Sequence, residues 1–227
     1  MSTPQFTLPG LRPSALKPGR FAALDESHPL SRGLVGAWMF GQSAIATGFS
    51  HNVARALIDP VTDKKAFLDD CIGPTRNGQI GLVSTVSNGQ PWVSDLTDKF
   101  FTPSLGGSDS AFSVAFWLKR TVTATAQTIV GKYYDAGASR DWEIGLDYPL
   151  NCLAGDDIIY VTLYDETTDG YIGVYGPAPN INDWAFVVVT YNGNGLTSGL
   201  KIYVDEVQID DTTYSNGLYD HVRRSTV

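Results

Sequence analysis

The chain has 227 residues, with 24 acidic against 16 basic side chains and a formal net charge of −8. A field of that sign disfavours the phosphate backbone of nucleic acid and anionic membrane surfaces, because both need positive potential. Hydrophobic residues make up 43% and charged residues 18%, which is enough apolar material for a sizeable core. The 23 Gly and 12 Pro are scattered along the chain, as short strands joined by turns require and long helices forbid. A chain of this length suits one large β-sandwich.

Residues 1–27 are expected to form an extended arm. Pro4, Pro9, Pro13 and Pro18 recur there, and Arg12, Lys17 and Arg20 are its only charges before Asp25. Proline at that spacing blocks helix and central strand alike. The arm is either a loose terminus or a basic segment that docks on an acidic neighbouring subunit. No basic region followed by an apolar run stands at the start, so no secretory signal is expected. No apolar run of about 18 residues is present to span a bilayer. Residues 28–227 are expected to form one domain.

Within that domain, Leu34–Phe40 reads as a first strand and residues 41–65 as loop. Short strands are expected around Ile80–Val86 and Trp92–Val93, with turns at Asn77-Gly78 and Asn88-Gly89. The three histidines, at 28, 51 and 221, are too scattered to suggest a ligand pair and read as surface or turn residues. Cys71 and Cys152 are either a disulfide or two free thiols.

From Phe112 to Arg120 the chain alternates, with Phe112, Val114, Phe116 and Leu118 on one face and Ser113, Ala115, Trp117 and Lys119 on the other. Strands are expected at Gln127–Gly131, Trp142–Leu146, Asp157–Leu163 and Tyr171–Tyr175. The most strongly patterned stretch follows, from Trp184 to Glu206. Ala185–Tyr191 is almost all β-branched or aromatic, as in a strand buried on both faces. Leu200–Asp205 alternates strictly, and the Asn/Gly-rich loop between them permits reversal into a hairpin. Strands at this spacing mark an antiparallel sandwich or barrel.

Trp184, Thr190, Tyr191, Asn192, Gly193, Ile202, Tyr203, Val204 and Asp205 resemble the paired-strand signature of the laminin G-like branch of the concanavalin A-like proteins. That resemblance spans roughly 112–205 and implies an all-β, antiparallel jelly-roll β-sandwich. Two positions depart from the pattern: Asn192 stands for the usual Asp, and Glu206 for the Gly expected at a second turn. The stretch from Ser27 through His28-Pro29-Leu30 into Gly33-Leu34-Val35-Gly36-Ala37-Trp38 is similar to laminin G-like proteins of tailed-bacteriophage virions. This implies synthesis in the host cytoplasm and display on a virion surface. The family also has a closing strand beside the first one, and Asp220–Val227 does not match it. An open sheet edge is therefore expected, covered by other virion or surface subunits or by further copies in a homo-oligomer.

Three chemistries can be weighed on named residues. A retaining glycosidase needs two carboxyls roughly 5–5.5 Å apart. The nearest pattern is Glu143-Ile144-Gly145-Leu146-Asp147, which lacks the family's central Asp and has a shortened second acid, so no catalytic residue is assigned. Calcium is a candidate cofactor at Asp165, Thr167 and Asp169, whose oxygens are spaced like the first half of an EF-hand loop. The twelfth position, however, is Gly176 rather than an acid. Asp156 and Asp157 are other possible donors, since laminin G-like modules bind calcium at a loop rim. Sugar binding in this fold uses aromatic faces with Asp and Asn side chains, and the candidates are Tyr133, Asp135, Trp142, Tyr171, Tyr175 and Asn180. The leading expectation is a non-enzymatic surface recognition or decoration module with affinity for a cell-surface glycan. The alternatives are a structural assembly protein without ligand and a jelly-roll glycoside hydrolase.

Overall fold

A computed structural model describes residues 103–104, 107–121, 123, 126–132, 140–147 and 157–222, together with the backbone of six strands between Ala37 and Val93. The chain divides into two compact units, Pro18–Phe100 and a second containing Phe101–Val227. The first unit holds β1 (Ala37–Met39), β2 (Asn52–Ile58), β3 (Ala66–Asp69), β4 (Cys71–Ile72), β5 (Val83–Ser84) and β6 (Gln90–Val93). These form an antiparallel sheet in the order β1-β2-β3-β6 and a separate β4-β5 ribbon. Ala37–Met39 is thus a strand, but it pairs with Asn52–Ile58 and not with the sandwich it was expected to open. Its partner lies inside the stretch expected to be loop, where Ala54 and Ala56 dilute the β-branched signal. The arm at 1–27 and Cys152 lie outside the described residues.

The second unit carries β7 (Phe112–Leu118), β8 (Gln127–Lys132), β9 (Trp142–Leu146), β10 (Ile158–Asp165), β11 (Gly170–Pro177), β12 (Ala185–Tyr191), β13 (Leu200–Val204), β14 (Val207–Gln208) and β15 (Thr212–Ser215). They build two antiparallel sheets, one in the order β15-β11-β10-β9-β8 and one in the order β14-β13-β12-β7. Side chains of alternate parity from both sheets meet in one core. Trp142, Ile144, Leu146, Ile159, Val161, Leu163, Ile172 and Val174 come from the first sheet, and Val187, Val189, Tyr191, Leu200 and Ile202 from the second. Each fully buried Val, Leu or Ile contributes roughly 1.5–3 kcal/mol relative to exposure. This is an all-β, two-layer antiparallel sandwich, and no α-helix occurs among the described residues.

The hairpin legible in the sequence is β12–β13, registered from Val187↔Val204 to Tyr191↔Leu200. Its loop closes through local side chains. Asn192 Oδ1 accepts the Asn194 N–H at 3.1 Å, and Asn194 Oδ1 accepts the Leu196 N–H at 3.0 Å. Gly193 and Gly195 take φ of 80° and 73°, values that favour glycine. The second turn also forms. Val204 pairs with Val207 around Asp205 and Glu206, whose φ of 48° and 72° are those of a two-residue type I′ hairpin turn. Asp205 adds an anchor by accepting the Phe186 N–H on Oδ1 at 2.9 Å. Glu206 therefore occupies a left-handed position that glycine would hold at less cost.

Beyond this turn the chain changes sheets, and β15 pairs with β11 through Ile172↔Ser215 to Tyr175↔Thr212. The segment that follows is pinned by Asp109. Its Oδ2 accepts the hydroxyls of Tyr191 (2.5 Å) and Tyr219 (2.6 Å), and its Oδ1 accepts the Val222 N–H (2.8 Å).

Candidate functional site on the outer face of the five-stranded sheet

Strand parity sends every second residue of the five-stranded sheet away from the core. On β9 these are Glu143 and Gly145; on β10, Tyr160, Thr162 and Tyr164; on β11, Tyr171, Gly173 and Tyr175; on β15, Thr212 and Tyr214. Register lines them up across the sheet. Gly145, Tyr160, Tyr175 and Thr212 form one row, and Glu143, Thr162, Gly173 and Tyr214 form the next. The two mid-strand glycines make room for rings. A Cβ on Gly145 would run into the Tyr160 ring, and one on Gly173 into the Tyr214 ring, so each tyrosine lies across its glycine.

Tyr214 is fixed in that pose. Its hydroxyl donates to the Val161 carbonyl at 3.2 Å and lies 2.5 Å from Thr162 Oγ1. Its ring stands between Tyr171 and Tyr175, with centroids 6.2 and 6.1 Å away. All three rings are half-buried. They form a continuous aromatic row along β11.

The neighbouring part of the face is polar and closed. Glu143 is 5% exposed and Tyr164 1%. The Tyr164 hydroxyl donates to Glu143 Oε1 at 2.5 Å, and the Thr128 hydroxyl to Oε2 at 3.2 Å. Arg140 sits 5.0 Å from the Tyr164 ring centre and clamps the β10–β11 turn. Its guanidinium pairs with Glu166 and, at 3.0 Å, with Asp169. Burial raises the Glu143 carboxyl above the ordinary 4.5, opposed by hydrogen bonds from Tyr164, Thr128 and Tyr160 and by the charge of Arg140. A raised carboxyl favours its protonated form in the fold, so it costs nothing below pH 4.5 and weakens the fold as pH rises through its folded pKa. Glu143→Gln should therefore raise the denaturation midpoint at pH 7, with the gain vanishing towards pH 4. A gain of equal size at both pH values would contradict the assignment.

The sequence candidates separate clearly. Tyr171 and Tyr175 are brought together, with Tyr214 between them. Trp142 faces the opposite way, buried in the core with its ring 5.6 Å from that of Phe112. Its parity with Ile144 and Leu146 is the reason. Asn180 is exposed on the connection after β11, and Tyr133 and Asp135 lie outside the described residues. Tyr214, Thr162 and Tyr164 were not anticipated, although the lone glycines at 145 and 173 inside strand patterns signal a close approach.

Asp165, Thr167 and Asp169 lie together on the β10–β11 hairpin. Asp165 Oδ1 accepts the Thr167 N–H at 3.1 Å, while Asp169, at φ 52°, pairs with Arg140. As arranged they make an Asx turn and an ion pair rather than an open calcium loop. Among the described residues no group of three or more His, Cys, Asp or Glu is placed to hold a metal. Asp147 leaves the strand at φ 62°, and its Oδ1 accepts the Ile158 N–H at 3.1 Å. It closes the end of the β9–β10 pairing, roughly 13 Å along the strand from Glu143 by backbone rise.

A laminin G-type family model, described as the concanavalin A-like lectin/glucanases superfamily, matches residues 95–225. The chain belongs to this superfamily. The match covers the unit that carries both sandwich sheets, and the superfamily's own description joins lectins with glucanases, so membership is compatible with carbohydrate binding. No curated protein and no solved structure gives a significant match.

Proposed function

We propose that this concanavalin A-like domain is a non-enzymatic recognition module that binds glycan on its tyrosine face. The observation that carries the reading is the row Tyr171–Tyr214–Tyr175, three half-buried rings about 6 Å apart in sequence along the outer face. Aromatic faces of this kind cover the apolar side of a pyranose ring, and the tyrosine hydroxyls serve sugar hydroxyls. The partner class is a cell-surface polysaccharide. The setting we attach to it, a virion surface, follows from the resemblance of Ser27–Phe40 alone.

The test is a glycan array probed with the full chain, with and without calcium. A hit should weaken at least about tenfold in Tyr214→Ala and persist in Tyr214→Phe, which keeps the ring. A blank array under both conditions would favour a structural assembly protein. The hydrolase reading draws on Glu143, whose raised carboxyl is of the type a general acid needs. Against it, Asp147 is turned to the Ile158 amide. Cleavage of a polysaccharide that Glu143→Gln abolishes would reinstate it.

A further inference from the structure

The sandwich has four edges, and three of them are guarded. β14 has two residues, β15 has four, and β8 carries a register irregularity between Thr128 and Val130 and ends in Lys132. Short length, bulges and charge are the usual means of keeping an edge from recruiting another strand. β7 has none of them. It runs for seven residues, Phe-Ser-Val-Ala-Phe-Trp-Leu, without proline, glycine or charge. Every one of these residues is in unbroken register with β12, and no described strand pairs with its other side.

The sheet face beside this edge is apolar on its outer side as well. Trp117 lies against Phe186, with ring centres 5.3 Å apart. Val188 is flanked in register by Ala115 and Tyr203. Ala115 and Ser113 are exposed, whereas Trp117, Phe186, Val188 and Tyr203 are half-buried.

We propose that β7 pairs antiparallel with β7 of a second copy of this chain, about a two-fold axis at Ala115. The occupant follows from the strand's own pattern. With Ala115 opposite Ala115, each core-facing residue meets a core-facing residue and each outer residue an outer one, so neither face changes sides. Trp117 of one copy then stands opposite Ser113 of the other, a large ring against a small side chain. No charge lies within the strand, so the axis opposes no like charges. The first charges beyond its ends are Asp109 on one side and Lys119 and Arg120 on the other, and antiparallel pairing brings these opposite signs together, where a parallel arrangement would not. The resulting sheet runs continuously through both copies. This inference is independent of the glycan reading, because it concerns the other sheet.

The experiment is light scattering coupled to size exclusion on the full chain, at concentrations on the order of 10 µM, with two variants at the exposed Ala115. The native chain should be a dimer. Ala115→Glu and Ala115→Lys each place like charges face to face at the axis and should weaken the dimer roughly a hundredfold, while circular dichroism stays unchanged. An equimolar mixture of the two variants should recover a mixed dimer. A native chain that is monomeric overturns the proposal. A dimer that survives Ala115→Glu overturns it too, because the copies would then meet elsewhere.

Discussion

Replacing Asp109 with alanine is expected to lower the stability of the C-terminal unit by about 3 kcal/mol, a fall in Tm of roughly 10 °C. One carboxylate satisfies Tyr191, Tyr219 and the Val222 amide, and these three belong to β12 and to the segment beyond β15. Hydrogen bonds to a charged acceptor contribute about 1.5–3 kcal/mol each, and bonds that share one acceptor do not add fully. Hydrogen exchange at the Val222 amide should accelerate more than exchange in β10, which Asp109 does not touch. Equal acceleration in both would mean that Asp109 supports the whole unit and not this tether.

The same cluster sets an alkaline limit. Burial, then the hydrogen bond to Asp109 and its negative charge, push the phenols of Tyr191 and Tyr219 above their ordinary 10.0. A raised folded pKa keeps its stability in full below the unfolded value and loses it as pH climbs towards the folded one. The unit should therefore hold its stability up to about pH 10 and lose it progressively above. Phenolate absorbance from these two residues should appear together with unfolding. Their ionisation in a still-folded chain would refute this account.

Gly176→Ala should cost about 3 kcal/mol, because the added methyl has no room to move into. Its Cβ would fall far inside contact distance of the Ile209 carbonyl oxygen, with the Asp210 amide just beyond. That backbone is itself held: the Ile209 N–H donates to Ile202 O at 2.9 Å, and Asp210 Oδ1 accepts the Ile202 N–H at 2.8 Å. A flexible side chain could swing aside, but a backbone tied at both residues cannot. Chemical denaturation with an unchanged m-value and a lowered midpoint is the expected result. Stability within about 0.5 kcal/mol of the native chain would show that this segment sits further from β11.

Features written locally in the sequence were legible in advance. The β12–β13 hairpin announced itself through β-branched alternation and the Asn/Gly loop, and β7 through the alternation of Phe112, Val114, Phe116 and Leu118. Features created by pairing between distant strands were not. Tyr214 stands between Tyr171 and Tyr175 only because Thr212–Ser215 returns to β11 rather than beside a first strand, and no local pattern encodes that choice of neighbour. Trp142 is instructive in the other direction. Its spacing from Ile144 and Leu146 already placed it on their face, yet its chemistry invited a sugar-stacking role. The acidic turn Asp165–Asp169 resembled a cation loop for a related reason: Arg140, the residue that pairs with Asp169, comes from far earlier in the chain.

The open edge of β7 belongs to the sheet that does not carry the tyrosine row. A copy joined along that edge leaves both rows uncovered, so self-association and ligand capture do not compete. Two weak sites held in one assembly act on a repeating polymer as a bivalent ligand. Avidity can then exceed single-site affinity by about 10²–10⁴ without any new contact to the sugar. Slow release from an immobilised polysaccharide, lost in Ala115→Glu while single-site affinity is kept, would be the signature of that coupling.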